Sequence, residues 1–388
     1  MTEFDVIILG GGPGGSTLAA LLANSGVNVA VIEKAKFPRI VVGESLLPYS
    51  LPIWERSGVL PKLEEHFIRK PGARFVNDQT LEEDWFLFNN TLRTGPEYAF
   101  NVTRADFDLL LLDHARECGA TIMQPVECTE VVFGDDDVTV RTSAGELDAQ
   151  YFVDASGRDS FLARRQSVRE NDPEHRKIAT FAHFEGVELD EEDDGNIFIV
   201  RFADTNQGWM WMIPFKSGTA SVGVVSDIDY FKQAGQSPEE FLSAQLESSK
   251  FMAPRMKYAQ KFTDVMSEAE FTYSGGSLCG KRWLKLGDAG AFIDPIFSSG
   301  ILLTTIAADV AHDVLVKALK DGDSLDGFRE PIMQAVKVFR TFINAFYKKD
   351  LLQHMVGPHK RPLIQKGITS LLAGDVINAE NPLIDWLE

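Results

Sequence analysis

The sequence predicts an α/β fold in which a Rossmann-like domain is interleaved with a β-sheet lobe and followed by C-terminal helices. Two observations carry the prediction. A short apolar run, Asp5–Leu9, leads into the glycine-rich segment 10–15, and a helix-type stretch and a second apolar run follow, which together form a βαβ unit. Strand-then-glycine patterns return at 151–157 and 284–290. Because parallel strands are buried on both faces, such runs are typical of one sheet built from distant segments.

The spacing of these runs divides the chain. A single domain of 388 residues would be unusually large, so we expect two lobes. The region between about 170 and 280 alternates like strands (IFIVRFA, GWMWMIPF), and the region from Phe328 to about Leu372 has helical periodicity. The predicted division is a dinucleotide-binding domain from 1–40, 100–165 and 280–325, a substrate lobe from 41–99 and 166–279, and a C-terminal helical segment over 326–388.

Charge and composition exclude several classes of function. The formal net charge is −19, a balance that repels nucleic acid and anionic membranes, so neither is an expected partner. Three cysteines without metal-ligand spacing predict neither a disulfide framework nor a metal site, and they favour a cytoplasmic location. The N-terminal MTEFDVIILGGG is unlike a signal peptide, and no apolar run approaches the ~18 residues of a membrane span.

The glycine-rich segment fits G-x-G-x-x-G and predicts a dinucleotide site. Its tight turn, its close approach to a pyrophosphate and its helix packing require small residues, and the helix N-terminus favours phosphate. Glu33 ends the second strand, where an acid accepts ribose hydroxyls and disfavours a 2′-phosphate. The candidate cofactor-binding residues here are Gly10, Gly12, Pro13, Gly14, Gly15, Glu33 and Lys34.

Two later motifs resemble those of the FAD-dependent aromatic monooxygenase superfamily. Asp154–Gly157 (DASG) and Gly287–Gly290 (GDAG) each end a predicted strand. The resemblance implies FAD as cofactor, with Asp288 accepting from its ribityl chain and Arg104 near it. It also implies that the loop Gly43, Glu44 and Ser45 covers the flavin, although Glu44 could equally bond loop backbone. Because no second nicotinamide domain is visible, we expect FADH2 to come from a separate flavin reductase.

A further motif narrows the resemblance to flavin-dependent halogenases. Residues 209–214 (WMWMIP) fit W-x-W-x-I-P, and alternation along a strand puts Trp209 and Trp211 on one face. The resemblance implies that Trp209, Trp211 and Pro214 crowd the flavin and keep organic substrate away from it. A pair of core aromatic residues is the alternative interpretation of the two tryptophans.

Residues 292–300 (FIDPIFSSG) resemble the halogenase pattern F-x-x-P-x-x-S-x-G. Backbone N–H groups of Ser299 and Gly300 at a helix N-terminus make a natural halide site, for chloride or bromide. Pro295 and Gly300 join the cofactor-binding candidates, and Ser298 is a candidate catalytic residue. Side-chain capping of the helix by Ser298 or Ser299 is the alternative role and is compatible with halide binding.

The residue that the resemblance marks as catalytic is Lys70, in KPGARF, and the neighbouring Arg69 and Arg74 are expected to be surface or structural residues. The function implied is that FADH2, O2 and halide give hypohalous acid, which travels to Lys70 for electrophilic halogenation of an electron-rich ring. This role requires a buried ammonium group at the end of a passage from the flavin. A lysine in bulk water would contradict it.

One departure from the family concerns the substrate. Tryptophan halogenases carry a glutamate facing the lysine where this chain has Phe297, and they are longer. Both features favour the phenol/pyrrole group of the family, some of whose members act on rings tethered to an acyl carrier protein. The basic stretch Val336–Lys366 is a candidate docking face for such an acidic partner. Its basic residues are Lys337, Arg340, Lys348, Lys349, Lys360, Arg361 and Lys366. A solvated amphipathic helix is the simpler interpretation.

Three rival functions share the fold. A single-component FAD aromatic hydroxylase would bind NAD(P)H itself, and W-x-W-x-I-P and Lys70 argue against it. A reductase of polyprenyl chains would share the loop at Glu44 but would need a long apolar tunnel. A non-catalytic flavin-binding subunit would lack the lysine or the halide motif, and this chain has both.

Overall fold

The computed structural model describes residues 3–189, 195–202, 207–269, 272–348, 351, 355–356, 361–376 and 381–387. The strands within these residues are β1 Phe4–Leu9, β2 Val29–Ile32, β3 Ile68–Lys70, β4 Gly72–Asn77, β5 Glu83–Leu87, β6 Ala99–Asn101, β7 Thr121–Met123, β8 Cys128–Phe133, β9 Val138–Thr142, β10 Gly145–Asp154, β11 Glu170–Asn171, β12 Lys177–Glu185, β13 Ile197–Arg201, β14 Gly208–Pro214, β15 Ala220–Asp227, β16 Gln260–Lys261, β17 Met266–Ala269, β18 Tyr273–Ser274, β19 Cys279–Gly280, β20 Trp283–Lys285 and β21 Ala291–Phe292. The α-helices are α1 Pro13–Asn24, α2 Leu51–Ser57, α3 Leu60–His66, α4 Arg104–Glu117, α5 Phe161–Arg165, α6 Ile228–Ala234, α7 Pro238–Ser248, α8 Met252–Met256, α9 Ser299–Asp321, α10 Arg329–Lys348, α11 Pro362–Ala373 and α12 Pro382–Leu387.

A mixed sheet with a parallel centre forms the first layer, and the apolar runs predict its parallel strands. Its strand order is β19-β20-β10-β1-β2-β7, and β1 pairs in parallel with both β10 and β2. Val6, Ile7 and Ile8 of β1 are fully buried because helices or loops cover both faces of the strand. The sheet therefore gathers segments from the start, middle and late part of the chain, and confirms the predicted α/β fold.

The second large sheet has the order β16-β12-β15-β14-β13-β4-β5. Its two faces bury different side chains, because successive residues of a strand point to opposite sides. On β14, Trp209 and Trp211 belong to the main hydrophobic core, whereas Met210 and Met212 pack into a separate cluster against α7 and α8. The prediction that the two tryptophans share one face is confirmed.

A two-stranded ribbon of β3 and β6 carries Lys70. The strands are antiparallel, with Lys70 opposite Ala99 and Ile68 opposite Asn101. The segment before α2 adds to this ribbon through an antiparallel bridge between Ser45 and Asn101. The strand that leads into α4 and the candidate flavin loop are thereby fastened to the strand of the lysine.

Helix α9 packs against α1 and α10 in the centre of the protein. By length and composition it could cross a membrane, so the expectation that no segment reaches that limit is wrong for this helix. The share of its most apolar 18-residue window that is buried inside the protein is 61%. Its apolar surface is therefore largely accounted for by packing within the fold.

Several elements differ from the sequence prediction. Helix α1 begins at Pro13, inside the glycine-rich segment that we predicted to precede it, because proline at the first helical position lacks only an N–H that would have no partner there. Helices α6 to α8 interrupt a region that we predicted as strands. Helix α7 has a capping box, in which Ser237 accepts from Glu240 N and the Glu240 side chain accepts from Ser237 N. This signal is visible in the sequence.

Candidate active site

The glycine loop leaves an open approach to the N-terminus of α1. A Cβ at Gly10 would lie 2.2 Å from the Ala155 carbonyl oxygen, and one at Gly15 would lie 1.9 Å from the Gly10 oxygen. These two glycines are required by close backbone packing. At Gly12 the same construction meets only the Arg39 guanidinium, at 3.4 Å. The loop therefore has the free side and the positive helix end that a pyrophosphate needs.

The acid at the end of β2 organises this loop. Glu33 is buried, its Oε2 accepts from Gly11 N at 2.8 Å, and its Oε1 accepts from Ala35 N at 2.7 Å. Lys34, in contrast, is exposed and forms an ion pair with Asp159. Arg39 reaches the loop over the Phe37 ring and was missed in the sequence, because no motif marks it. It supplies a positive charge beside Gly12.

Arg104 is tied to the loop at 42–46. Its Nε and Nη2 donate to the two carboxylate oxygens of Asp108 at 2.7 and 2.9 Å, and its Nη1 donates to the Val42 carbonyl at 2.7 Å. Gly43 has a φ of +103°, and a Cβ there would lie 3.2 Å from Arg104 Nη1. The arginine thus anchors the loop through the Val42 carbonyl, and its side chain is buried rather than exposed to solvent.

Asp288 and Gly300 line one cavity, together with apolar side chains of β21, α9 and α10. Burial raises the pKa of Asp288 to about 7, with Arg104 and Arg158 acting in the opposite direction. A carboxyl group with such a pKa can accept or donate a hydrogen bond near neutral pH. Asp288 is therefore suited to a polyhydroxyl ligand chain, and Gly300 leaves space at the helix end.

Lys70 is buried, with 1% of its surface exposed, as its predicted role requires. Its Nζ donates to Ser45 Oγ at 2.8 Å and to the Leu46 carbonyl at 3.0 Å, and lies 5.3 Å from the centre of the Phe88 ring. No carboxylate neutralises it within the described residues. Burial therefore lowers its pKa to about 7, so ammonium and amine forms coexist near neutral pH.

The neighbours of Lys70 on β3 and β4 are structural. Arg69 is exposed, pairs with Glu64 and lies over the Tyr98 ring. Arg74 is buried against Glu83 and packs on the Trp85 ring. Both side chains have local partners and point to no shared site with Lys70, in agreement with the sequence interpretation.

Glu44 and His183 form a buried pair that sequence reasoning missed. His183 Nε2 lies 2.8 Å from Glu44 Oε1, and the ring packs edge-on against Phe215 with centroids 5.3 Å apart. The Glu44 side chain therefore bonds a side chain of β12. Its alternative predicted role, bonding loop backbone, falls instead to its main-chain carbonyl, which accepts from Val102 N.

A chain of three hydrogen-bonded side chains connects the tryptophan pair with the loop before α9. Trp209 Nε1 donates to Tyr347 Oη at 2.9 Å, and Tyr347 Oη donates to Asp294 Oδ2 at 3.1 Å. Asp294 Oδ1 accepts from Ile296 N at 3.0 Å. Burial raises the pKa of both Asp294 and Tyr347. These three hydrogen-bonded side chains therefore join β14, α10 and the loop before α9, and each of them is neutral or carries a single charge.

The turn that starts α9 has an unusual backbone and an unpaired hydroxyl. Ser298 has a φ of +56°, and neither Ser298 nor Ser299 caps the helix with its side chain. Ser299 is fully buried, and its Oγ has no hydrogen-bond partner within the described residues. Gly300 follows, and a Cβ there would meet no atom within 4 Å. A free donor, a helix N-terminus and open space are the requirements of an anion site.

Phe297 takes part in an aromatic cluster with α10. Its ring stacks on Phe342 with centroids 4.0 Å apart and meets Phe346 edge-on at 5.7 Å. Phe75 of β4 lies 6.5 Å from it. This position therefore provides an apolar aromatic wall and contributes no hydrogen-bond acceptor.

The basic C-terminal stretch is only partly described. Lys349 and Lys360, and the side chain of Lys348, lie outside the described residues. Arg340 is exposed and pairs with Asp172 at 3.3 Å. Docking of a partner on this face stays a prediction.

Comparison with known proteins gives consistent results. The family model named Tryptophan halogenase matches residues 5–88 and 87–351. The 1H-pyrrole-2-carbonyl-[peptidyl-carrier protein] chlorinase of Pseudomonas fluorescens is 32% identical, over 97% of this chain and 90% of that protein.

Two solved structures share the whole architecture. A flavoprotein/dehydrogenase from Cytophaga hutchinsonii superposes with a TM-score of 0.92 at 29% identity, covering 99% of this chain and 96% of that one. The flavin-dependent brominase Bmp2 superposes with a TM-score of 0.85 at 26% identity, covering 98% and 97%. The similarity extends through the C-terminal helices.

Proposed function

The chain belongs to the tryptophan halogenase family and is a flavin-dependent halogenase, and we propose that it halogenates a pyrrole carried by a peptidyl carrier protein. The buried Lys70, held at the loop that resembles the flavin-covering loop of the family, is the observation that supports a halogenating role for this site. The similarity to a carrier-protein chlorinase over nearly the whole of both chains supports the substrate.

The residues present fit FAD. The open side of Gly12, the N-terminus of α1 and Arg39 would hold the pyrophosphate, and Glu33 would accept from the adenosine ribose. Asp288 would bind the ribityl chain, with Arg104 fixing the adjoining loop. Supplied reduced by a separate flavin reductase, FAD would convert O2, a halide and a proton to hypohalous acid and water.

Ser299 and Gly300 would hold the halide, chloride or bromide. The unpaired Ser299 hydroxyl can donate to an anion, and the first N–H groups of α9 have no acceptor within the helix. Ser298 would act by its backbone: its left-handed conformation turns the chain so that these donors converge. Pro295 starts the preceding 3-10 turn, and Asp294 fixes it from the other side.

Lys70 would bind the hypohalous acid and direct it at the ring. Two of its three N–H donors are used by Ser45 and Leu46, which leaves one for the oxidant. Halogen transfer forms a carbon–halogen bond, breaks the halogen–oxygen bond and releases water that carries the displaced ring proton. Because Lys70 is buried, it would orient a small oxidant that would otherwise diffuse away.

Trp209, Trp211 and Pro214 would separate the two reaction stages. The two indoles lie 5.8 Å apart and are buried, with Trp211 Nε1 bonded to Ser221 Oγ at 3.1 Å. Such a wall keeps an organic ring away from the flavin while a small oxidant passes. The Phe297–Phe342 stack would supply an apolar surface for a neutral ring.

One incubation tests the function. The chain is combined with a flavin reductase, NADH and chloride or bromide, and with pyrrole or phenol carboxylate that is either free or attached to a carrier protein. We expect the mass and isotope pattern of a halogenated ring on carrier-bound pyrrole, dependent on the reductase. A hydroxylated product, or NADH oxidation without the reductase, would instead identify an aromatic hydroxylase. Catalysis in cytoplasmic extract would fit the expected compartment.

A further inference from the structure

Asn101 presents a buried hydrogen-bond acceptor that nothing in the described structure uses. The side chain is 1% exposed, and its Oδ1 has no partner within the described residues. Its Nδ2 donates to the Gly195 carbonyl at 2.8 Å, and a carbonyl can only accept. The orientation of the amide is therefore fixed, with the oxygen directed away from Gly195. Leaving such a buried acceptor unpaired is unfavourable, so the position requires an explanation.

The strand register places the Asn101 side chain on the same face of the ribbon as Lys70. On the β3–β6 ribbon, Lys70 is opposite Ala99, so Lys70 and Asn101 are diagonal neighbours on the same face. Diagonal neighbours lie within reach of long side chains. Ser45 is opposite Asn101 in the adjoining bridge, and its Oγ accepts from Lys70 Nζ. Lys70, Ser45 and Asn101 therefore belong to one buried polar cluster.

We propose that Asn101 Oδ1 accepts a hydrogen bond from the O–H group of hypohalous acid, while Lys70 Nζ donates a hydrogen bond to the oxygen atom of the acid. This inference rests on the proposed halogenase function and assigns a second binding residue for its oxidant. The neutral acid has one hydrogen to donate and lone pairs to accept, so one donor and one acceptor fix its orientation. The halogen then points away from both residues, toward the ring.

The surroundings leave this task to Asn101. Phe297 offers no acceptor, and its ring is engaged by Phe342. Glu44 is bonded to His183, and Ser45 and Leu46 already accept from Lys70. A neutral amide also suits this site better than a carboxylate, because an added negative charge would pair with the ammonium group and compete with the oxidant.

Two variants separate this role from a structural one. Asn101→Leu keeps the approximate shape but removes both the acceptor and the bond to Gly195. Asn101→Asp also removes that bond but keeps an oxygen acceptor. The measurements are FAD affinity, total hypohalous acid (trapped with monochlorodimedone in the absence of substrate) and halogenated product formed per hypohalous acid generated, at several pH values.

We expect Asn101→Leu to bind FAD and generate hypohalous acid as the wild type does. Its product per acid formed should fall about tenfold, the effect of one lost hydrogen bond, with the difference appearing as released acid. Asn101→Asp should stay within about threefold of the wild type, with its pH profile displaced upward because a nearby carboxylate raises the pKa of Lys70.

Two results would overturn the assignment. If Asn101→Leu forms as much halogenated product per hypohalous acid as the wild type, the amide oxygen is not needed. If this ratio falls equally in both variants, the effect comes from loss of the hydrogen bond to Gly195. Wild-type protein that forms no hypohalous acid and no product would instead refute the proposed function, and so is distinguishable from failure of this inference alone.

Discussion

Lys70 Nζ lies 2.8 Å from Ser45 Oγ, so the lysine is fixed by the same loop that Arg104 and His183 hold from other sides. The loop therefore connects helix α4, the β3–β6 ribbon and the second sheet. A change in any of the three would alter where the ammonium group sits.

Lys70→Met should abolish product formation while FAD binding and hypohalous acid formation persist. The amine is needed to hold the oxidant and is not part of the proposed cofactor contacts. Mass spectrometry of the substrate and a chemical trap for released acid measure the two stages. Arg69→Met is the matched control, since Arg69 is the exposed neighbour on the other face of β3 and should leave the product unchanged. Full product from Lys70→Met would refute the role.

Lys70→Met should also be more stable than the wild type at pH 7. Burial lowers the native pKa of Lys70 to about 7, below the unfolded value of 10.5, so the unfolded state binds more protons between these values. The free energy of unfolding of the wild type should therefore rise with pH between about 7 and 10.5. The contribution of Lys70 should stay constant below pH 7, where the lysine is protonated in both states. We expect Lys70→Met to gain on the order of 2 kcal/mol at pH 7 after the loss of two hydrogen bonds.

Denaturant unfolding at pH 7 and pH 9.5 measures this gain. The advantage of the variant should fall by about 3 kcal/mol and so change sign at the higher pH, because the native lysine is then neutral while the unfolded lysine still binds a proton. A variant less stable than the wild type at both pH values would contradict the attribution to burial of an unneutralised lysine.

Gly300→Ala should weaken halide use without weakening the fold. A methyl group there meets no protein atom within 4 Å but would occupy the space proposed for the halide. We expect the KM for halide to rise about tenfold or more and the melting temperature to be unchanged or higher, because alanine favours helix. Lys317→Ala, exposed on the same helix, is the control. An unchanged KM for halide in Gly300→Ala would show that the halide does not bind at Gly300.

Tyr347→Phe should loosen the loop before α9. The change leaves Trp209 Nε1 and Asp294 Oδ2 without their shared partner, at a cost of about 1–3 kcal/mol of unfolding free energy. Halide KM should rise as well, since Asp294 fixes the turn that presents Ser299. Tyr258→Phe, at an exposed tyrosine, should change neither quantity. Loss of stability with an unaltered halide KM would restrict Tyr347 to packing.

Asp288→Asn should remove a pH dependence from FAD binding. The native carboxyl group has a pKa raised to about 7, and its ionised form accepts hydrogen bonds from ribityl hydroxyls more strongly than its neutral form does. Wild-type affinity for FAD should therefore increase from pH 6 to pH 8, whereas the asparagine variant should stay near the weaker value. Fluorescence quenching of added FAD reports both. A pH dependence shared by the two proteins would point to another group.

The parts of the site that the sequence revealed are local patterns. The glycine loop, Glu33 and the tryptophan pair were predicted from short motifs whose spacing fixes a turn, a strand end or a shared face, and Lys70 was predicted from the resemblance of its segment to a family motif. Lys34 shows the limit of this reasoning, because its side chain points to solvent and pairs with Asp159 although its neighbour Glu33 is buried.

The parts that the sequence could not reveal depend on partners far along the chain. His183 follows Glu44 by 139 residues and Tyr347 follows Trp209 by 138. Neither histidine nor tyrosine carries a pattern of its own, and their pairing is set by how two sheets and α10 pack. Asn101 is similar, because its unpaired oxygen becomes visible only with the register of β3 and β6.

The Rossmann-like sheet takes its strands from residues as far apart as β1 and β20, which ends at Lys285. A chain emerging from the ribosome cannot complete the cradle for the cofactor until three quarters of it has been synthesised, and Tyr347 arrives later still. Flavin capture is consequently a late event in biosynthesis, and a product arrested before α10 would expose the unfinished centre to chaperones and proteases.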